Sequence, residues 1–261
     1  MTGNPTPLLA AADVSVQMDD ITLVDRASLN VYPNEVVVLL GPNGAGKTSL
    51  LRGLLGRLPT QADIYLQGDP ITTLSPRERA LRVSYLPQGR ETAWPNRVFD
   101  IVALGRFAHG VSLGGLSDAD ADATRKAIAA CQLEALQDRR INTLSGGELA
   151  RVHCARLYAA NTPLLIADEP TASLDPNQQH RVAQLFQSYA NADRSVLMVL
   201  HDVNLAMRYA TRLIWMTDAS IAADIAPEEV SAELISEVYQ VDTELVTTAD
   251  GTKQFVMGLK K

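Results

Sequence analysis

A short apolar run followed at once by a glycine-rich turn constrains the fold of this chain more than any other feature. Residues Val36 to Leu40 are all aliphatic, which is typical of a strand buried on both faces of a parallel sheet. The turn, Gly41 to Thr48, reads Gly-Pro-Asn-Gly-Ala-Gly-Lys-Thr, and leucines at helical spacing follow from Ser49 to Leu55. This order of strand, glycine turn and helix predicts an α/β protein built on a parallel sheet.

The glycine turn matches the pattern G-x-x-x-x-G-K-[ST], which supplies the chemistry that a nucleoside triphosphate and Mg²⁺ require. Successive backbone N–H groups wrap the phosphates, and the start of the following helix adds a positive dipole. We expect the Lys47 ammonium to pair with the β- and γ-phosphates and the Thr48 hydroxyl to bind magnesium. Average residue usage gives this pattern by chance in on the order of one chain in a hundred of this length, so a plain glycine turn is the weaker interpretation. The predicted nucleotide-binding residues of this segment are Gly41, Pro42, Asn43, Gly44, Ala45, Gly46, Lys47, Thr48 and Ser49.

Two acidic residues follow a second apolar strand, Leu164 to Ala167. Asp168 suits a water-mediated magnesium contact at the carboxyl end of that strand, and Glu169 suits the base that positions an attacking water. Acidic residues after a strand often only mark its solvent end. The phosphate loop upstream favours the catalytic interpretation here.

A third motif, Leu144-Ser145-Gly146-Gly147-Glu148, lies between these two elements and resembles the signature motif of ABC-transporter ATPase subunits. Alone, it could equally be a loop and N-cap before a helix from Glu148 to Leu157. The resemblance runs from about Leu8 to Tyr239 and implies an α/β fold, with a P-loop NTPase (RecA-like) core, an antiparallel β subdomain and an inserted α-helical subdomain. It further implies one ABC ATPase domain over residues 1–261, with the core, β subdomain and C-terminal tail in 1–89 and 158–261 and the helical subdomain in 90–157.

The resemblance also assigns roles to single residues. Gln88 corresponds to a loop residue that contacts magnesium and senses a membrane partner, and it could otherwise be a polar strand end. His201 resembles the histidine that contacts the γ-phosphate, so we count it with Gln88 and Glu169 as catalytic. Ser173 to Asp175 resembles a loop that communicates across a dimer, although Asp175 and Pro176 also make a good helix start.

In this family the signature closes over ATP bound to the opposite subunit. The resemblance therefore implies a homodimer on ATP binding, in which Ser145, Gly146 and Gly147 of one chain cover the ATP that Lys47 of the other chain binds. One position departs from the family, since Met18 stands where an aromatic ring usually stacks on adenine. A thioether can pack on a purine face but offers no stacking plane, so Met18 is predicted to be a weak adenine contact.

One segment points to a branch of the family. Ile101 to His109 resembles the ATPase subunits that serve uptake of iron-siderophores, haem and cobalamin, although Ala108 stands where those often carry proline. The segment Val238 to Val241 is similar to that branch as well. The implied partners are two copies of an integral-membrane permease subunit and a periplasmic or surface solute-binding protein. The implied location is the cytoplasmic face of the inner membrane, held there by the permease, with zinc or manganese uptake as the alternative.

Charge and composition exclude several other classes. A net charge of −7 gives no support to nucleic acid as a partner, which disfavours a non-transport ABC ATPase acting on nucleic acid or translation. A regulator without turnover is disfavoured because Glu169 is present. The two cysteines, Cys131 and Cys154, are too few for a disulfide framework or a zinc site. No apolar run reaches the 18 residues that a membrane span needs.

Local patterns predict the remaining elements. Asp118-Ala119-Asp120 mimics the start of a calcium loop, but Ala123 replaces its glycine, so an acidic first helical turn capped by Ser117 is the better interpretation. The other predictions are a strand pair at Leu8–Val16 and Ile21–Val31, a capped helix starting at Ser75-Pro76, strands at Val83–Leu86 and Ser195–Leu200, helices at Asp100–Leu104, Asp118–Leu136, Pro176–Ala190 and Glu228–Tyr239, and a hairpin at Glu244–Thr248 and Lys253–Met257.

Overall fold

A computed structural model describes residues 6–89, 96–110, 115–172, 174–249, 251 and 253–259 of the chain. Its strands are β1 (Leu9–Met18), β2 (Ile21–Val31), β3 (Val36–Leu40), β4 (Asp63–Leu66), β5 (Asp69–Pro70), β6 (Val83–Leu86), β7 (Leu164–Ala167), β8 (Ser195–Val199), β9 (Arg212–Thr217), β10 (Ser220–Ile225), β11 (Asp242–Thr247) and β12 (Lys253–Gly258). Its α-helices are α1 (Lys47–Leu54), α2 (Pro76–Arg82), α3 (Val98–Ala103), α4 (Asp118–Ala130), α5 (Gly146–Ala159), α6 (Pro176–Tyr189), α7 (Val203–Tyr209) and α8 (Ala232–Tyr239).

The largest sheet has the strand order β10-β9-β3-β8-β7-β6, and β10 is its antiparallel edge. The pairs of β3 with β8 and β9, and of β7 with β6 and β8, are all parallel. Every residue of β3 is buried, as its continuous apolar sequence predicts. Because the carboxyl ends of parallel strands meet at one edge, the loops after β3, β6, β7 and β8 gather there.

Helices and a second sheet cover the two faces of this large sheet. Val37 and Leu39 face a cluster formed with α1 and the antiparallel sheet β2-β1-β4-β5. Val36, Val38 and Leu40 face the opposite cluster, which contains α5 and α6. The α/β fold class with an antiparallel β unit is therefore confirmed. The predicted division at residues 89/90 and 157/158 stays a prediction, and its second boundary falls inside α5.

The segment from α3 to α5 is helical, but the predicted helix from Asp118 to Leu136 is too long. Helix α4 ends at Ala130, and Gln132 then takes a left-handed φ of 54°. A separate 3₁₀ turn follows at Glu134–Leu136. The Ser117 side chain caps α4 by accepting the backbone N–H of Asp120, as the sequence predicts.

The Asp120 carboxylate, which belongs to the pattern that mimics a calcium loop, forms an ion pair with Arg106. Arg106 Nε lies 2.9 Å from Asp120 Oδ1, and the two side chains are only 10% and 13% exposed. Arg106 also donates to the Ala159 carbonyl at 3.0 Å, so this pair ties α4 and α5 to the short 3₁₀ helix Leu104–His109. Hydrogen bonds from Ser117 and then Arg106 lower the pKa of Asp120, so its charged form is stabilised.

The C-terminal segment differs from its prediction at one helix start. The chain forms a 3₁₀ turn at Pro227–Glu229, and α8 begins only after Ser231, whose side chain accepts the Leu234 N–H. The hairpin of β11 and β12 is confirmed. Elements β4, β5, β9, β10 and α7 had no predicted counterpart. Among the described helices, none has the length and apolar character that crossing a membrane requires.

Candidate nucleotide site

The glycine turn after β3 forms a cradle that only glycine permits at two positions. A Cβ on Gly46, whose φ is 94°, would lie 2.2 Å from the Leu23 carbonyl oxygen. A Cβ on Gly41, whose φ is 141°, would lie 2.0 Å from the Met216 carbonyl oxygen. The backbones of β2 and β9 therefore pack closely against the turn. The backbone N–H groups of the turn lie at the start of α1.

Lys47 is buried inside this cradle. Its Nζ donates to the carbonyl oxygens of Gly41 at 2.7 Å and Pro42 at 2.8 Å. Burial lowers the pKa of Lys47, while the carboxylates of Glu169 and Asp168 favour its charged form. Because the Lys47 ammonium donates its hydrogen bonds to neutral carbonyls, its positive charge stays available to phosphate oxygens.

Thr48 and Asp168 offer the oxygen donors that Mg²⁺ prefers. The Thr48 hydroxyl donates to Asp168 Oδ1 at 3.2 Å, and the Tyr85 hydroxyl lies 3.4 Å from Oδ2. Asp168 is fully buried, and burial raises its pKa although the Thr48 bond opposes that shift. A divalent ion would stabilise the charge of this buried carboxylate, so these residues fit magnesium.

Glu169 stands between the two other residues predicted to be catalytic. Its Oε2 accepts a hydrogen bond from Gln88 Nε2 at 2.8 Å, and its Oε1 lies 2.7 Å from His201 Nε2. The three residues come from the loops after β7, β6 and β8. Glu169 itself has a left-handed φ of 50°, a costly conformation for glutamate that turns the chain sharply at the end of β7. The contacts with Gln88 and His201 hold both oxygens of this carboxylate in place.

These side chains surround one cavity of about 330 Å³ beside α1. It is lined by Leu23, Asn43, Gly44, Ala45, Gly46, Lys47, Thr48, Ser49, Gln88 and Glu169. Gly41 and Pro42 contribute through their bonds to Lys47, and Asp168 through Thr48. Leu23 and Tyr85 were not predicted, because neither carries a motif of its own and their positions follow from tertiary packing.

His201 does not line this cavity itself and adjoins it through its contact with Glu169. Four other predicted site residues neither line the cavity nor make one of the contacts described above. Ser145, Gly146 and Gly147 begin α5, where Ser145 and Glu148 form a reciprocal capping box. Met18 ends β1, is 52% exposed and does not line the cavity either. The nucleotide contacts of these four residues stay predictions. Of the proposed communication loop, Ser173 lies outside the described residues, and Asp175 caps α6 by accepting the Gln178 N–H.

Comparison with known proteins gives one consistent family. A family model described as ABC transporter matches residues 24–172. The hemin import ATP-binding protein HmuV of Thermobifida fusca is 38% identical over 247 residues, covering 93% of this chain and 85% of the relative. The probable siderophore transport system ATP-binding protein YusV of Bacillus subtilis is 33% identical over 240 residues, covering 91% and 87%.

Solved structures agree with this at the level of the fold. An ABC transporter described as of the metal-chelate type, in an inward-facing conformation, superposes with a TM-score of 0.83 at 21% identity, covering 97% of this chain and 98% of that one. The dimeric cassette MJ0796 superposes with a TM-score of 0.74 at 24% identity over 84% of this chain and 98% of that one. With the cradle and the Glu169 cluster in place, the chain belongs to the ABC transporter family as its ATP-binding domain, which hydrolyses ATP to drive transport.

Proposed function

We propose that this chain is the ATPase subunit of an importer that takes up an iron chelate (a siderophore), haem or cobalamin. The observation that carries the proposal is the agreement of relatives named for hemin import from several bacteria. The matches to those of Streptomyces coelicolor and Burkholderia ambifaria cover 91% and 94% of this chain at 38% and 35% identity. The relative named for siderophore transport supports the same chemical class.

Each residue of the site has a task in this proposal. Lys47 and the backbone N–H groups of the cradle bind the phosphate tail, and Thr48 with Asp168 holds Mg²⁺. When bound, Mg²⁺ would neutralise negative charge that develops on the phosphates. Glu169 orients the attacking water or accepts its proton, because Gln88 and His201 fix both of its oxygens. The position of His201 at this carboxylate supports its predicted place near the γ-phosphate.

The cradle is completed by a second copy of the chain. Ser145, Gly146 and Gly147 do not line the cavity of their own chain, which supports their predicted action across a homodimer. ATP then joins the two chains, and hydrolysis releases them, so phosphoryl chemistry becomes movement.

An exposed aromatic side chain marks the surface that we assign to the permease. Phe107, on the 3₁₀ helix Leu104–His109, is 68% exposed. The residues on both sides of Phe107 are held in place. Arg106 pairs with Asp120 in a buried ion pair, and Arg77 Nε donates to the Ala108 carbonyl at 3.0 Å. A large apolar group on a rigid base is suited to a protein interface. Two permease copies and a solute-binding protein outside the membrane complete the assembly, with this chain on the cytoplasmic face.

The test is solute-stimulated ATP hydrolysis by the reconstituted complex. The chain is co-purified with its membrane partners, placed in liposomes and assayed for ATP hydrolysis stimulated by solute-binding protein loaded with hemin, a ferric siderophore, cobalamin, zinc or manganese. Stimulation by an iron chelate or cobalamin supports the proposal, and stimulation by zinc or manganese alone overturns it.

A surface variant tests the permease contact separately. We expect Phe107→Asp to abolish co-purification with the permease while ATP hydrolysis by the isolated chain is retained. Leu259→Asp is the matched control, since Leu259 is another exposed apolar side chain (90%) and lies in a different segment of the sequence. Normal assembly of the Phe107 variant contradicts the assigned surface.

A further inference from the structure

The C-terminal segment of the chain reaches the phosphate cradle through one side chain. Tyr239 is the last residue of α8, and its hydroxyl accepts a hydrogen bond from the Gly41 N–H at 3.0 Å. The two residues are 198 positions apart in the sequence. The family resemblance of Val238 to Val241 assigns this segment no role in the chemistry, and the hydrogen bond places it in direct contact with the phosphate-binding turn.

Gly41 is the residue at which the chain leaves the large sheet and enters the cradle. Strand β3 ends at Leu40, so the N–H of Gly41 lies beyond the parallel ladder and takes its acceptor from a side chain. Gly41 is buried, and a buried N–H group without an acceptor is costly. The Tyr239 hydroxyl therefore supplies what a neighbouring strand supplies to the residues of β3.

Other contacts connect Gly41 to the group that binds phosphate. The Gly41 carbonyl oxygen accepts a hydrogen bond from Lys47 Nζ at 2.7 Å. On the side of β9, the Met216 carbonyl lies so close to Gly41 that a Cβ would not fit. Gly41 is thus packed against β9 and bonded through its N–H to Tyr239. The hydroxyl, the peptide groups of Gly41 and the Lys47 ammonium form one hydrogen-bonded chain.

Several contacts hold Tyr239 in place independently of this hydrogen bond. Apolar side chains of α8 are buried in the core cluster that contains α5 and α6. The Tyr239 ring packs edge-on against the buried Trp215 of β9, with ring centroids 6.3 Å apart. The Asn204 side chain of α7 bonds the N–H and the carbonyl of Phe255 at 2.8 Å and 3.0 Å, which fastens the hairpin that follows α8. Removing the hydroxyl alone therefore leaves this segment docked.

We propose that Tyr239 is a positioning residue for ATP binding, which keeps Gly41 and the cradle in their phosphate-binding arrangement before ATP arrives. The proposal rests on phosphate binding by the cradle. Without the hydroxyl, the Gly41 N–H finds an acceptor only in other arrangements of the turn. The binding-competent form is then less populated, and the apparent affinity for ATP falls in proportion. Turnover at saturating ATP is retained, because ATP selects the competent form and the Glu169 cluster belongs to other loops.

The test separates ATP affinity from turnover in the variant Tyr239→Phe, which loses only the hydroxyl and keeps the ring. We expect equilibrium binding of Mg²⁺-ATP to weaken about tenfold, as the loss of one buried hydrogen bond predicts. Inorganic tripolyphosphate should weaken by the same factor, because it has no nucleoside and reports on the cradle alone. The single-turnover rate of hydrolysis at saturating ATP should stay within about twofold of the natural rate.

Tyr189→Phe is the matched control. Tyr189 is buried, and its hydroxyl donates to the Thr162 carbonyl at 2.6 Å, before the amino end of β7 and therefore away from the cradle. Both variants should lower the free energy of unfolding, whereas only Tyr239→Phe should weaken ATP binding. The proposal is overturned by ATP affinity within twofold of the natural value, by an equal loss of affinity in both variants, or by a hydrolysis rate that falls as much as the affinity.

The variant Lys47→Ala tests the cradle separately. Unchanged binding of ATP and tripolyphosphate in that variant overturns the phosphate-binding role proposed for the cradle. Weakened binding in Lys47→Ala together with unchanged binding in Tyr239→Phe overturns only the role of Tyr239.

Discussion

Replacing Glu169 with glutamine separates the charge of this side chain from its shape. In the natural protein both carboxylate oxygens are engaged, one by Gln88 Nε2 at 2.8 Å and one by His201 Nε2 at 2.7 Å. A glutamine can keep its amide oxygen toward Gln88, which donates, and turn its NH₂ toward the histidine nitrogen, which accepts in one tautomer. The cluster is therefore retained while the charge that orients or deprotonates water is lost.

The cost to catalysis follows from that loss alone. Removing a general base typically lowers the rate by about 10² to 10⁴-fold, which corresponds to roughly 3 to 5 kcal/mol in the activation barrier. ATP affinity should stay within a few-fold, because Lys47 and the backbone N–H groups are unchanged. We expect an ATP-dependent dimer stable enough to isolate by gel filtration.

The assay is single-turnover hydrolysis with enzyme in excess, alongside equilibrium ATP binding. Glu134→Gln is the matched control, since it makes the same chemical change on the exposed 3₁₀ turn of residues 134–136. Hydrolysis by the Glu169 variant within tenfold of the natural rate would refute the role of this carboxylate. A loss of ATP binding would refute the argument that charge and binding are separable here.

Three further predictions address the dimer, the metal and the helical segment. The variants Ser145→Arg and Lys47→Ala should each be inactive. A mixture of the two should hydrolyse ATP faster than either variant alone, because one site then combines an intact Lys47 with an intact Ser145 from the other chain. No recovery in the mixture contradicts action in trans. Thr48→Val should weaken Mg²⁺-dependent ATP binding roughly tenfold, measured by magnesium titration, with metal-free binding as the control. Asp120→Ala should lower the free energy of unfolding by about 3 kcal/mol because it leaves Arg106 buried without its carboxylate, and Asp122→Ala on the exposed face is the control. Since the pKa of Asp120 is lowered in the folded state, the stability that the carboxylate contributes is present above about pH 4 and is lost as the pH falls through the folded pKa. Urea titrations at several pH values measure this dependence. Equal acid sensitivity of the Asp120 and Asp122 variants contradicts the assignment.

The catalytic roles of Gln88 and His201 were predicted from the family resemblance, and the fold explains why these residues lie beside Glu169. Gln88, Glu169 and His201 come after β6, β7 and β8, and the carboxyl ends of neighbouring parallel strands must meet. The end of α4 escaped prediction for an equally local reason. The chain turns at Gln132 with a left-handed φ of 54°, yet neither glycine nor proline marks the position.

Leu23 could not be predicted as a cavity residue for a different reason. It carries no motif, and it lines the cavity because the backbone of β2 at Leu23 lies against Gly46 of the glycine turn. Such a contact is set by tertiary packing and not by a local pattern. The adenine contact of Met18 stays a prediction.

The phosphate cradle explains how an acidic chain can bind an anionic nucleotide. A net charge of −7 repels a triphosphate at long range, and solution ions screen that repulsion beyond about 10 Å. At short range the buried Lys47 ammonium and the N–H groups of the glycine turn attract phosphate. Local attraction inside the cradle therefore outweighs the screened repulsion of the whole chain, and the catalytic carboxylate of Glu169 lies at the same cavity.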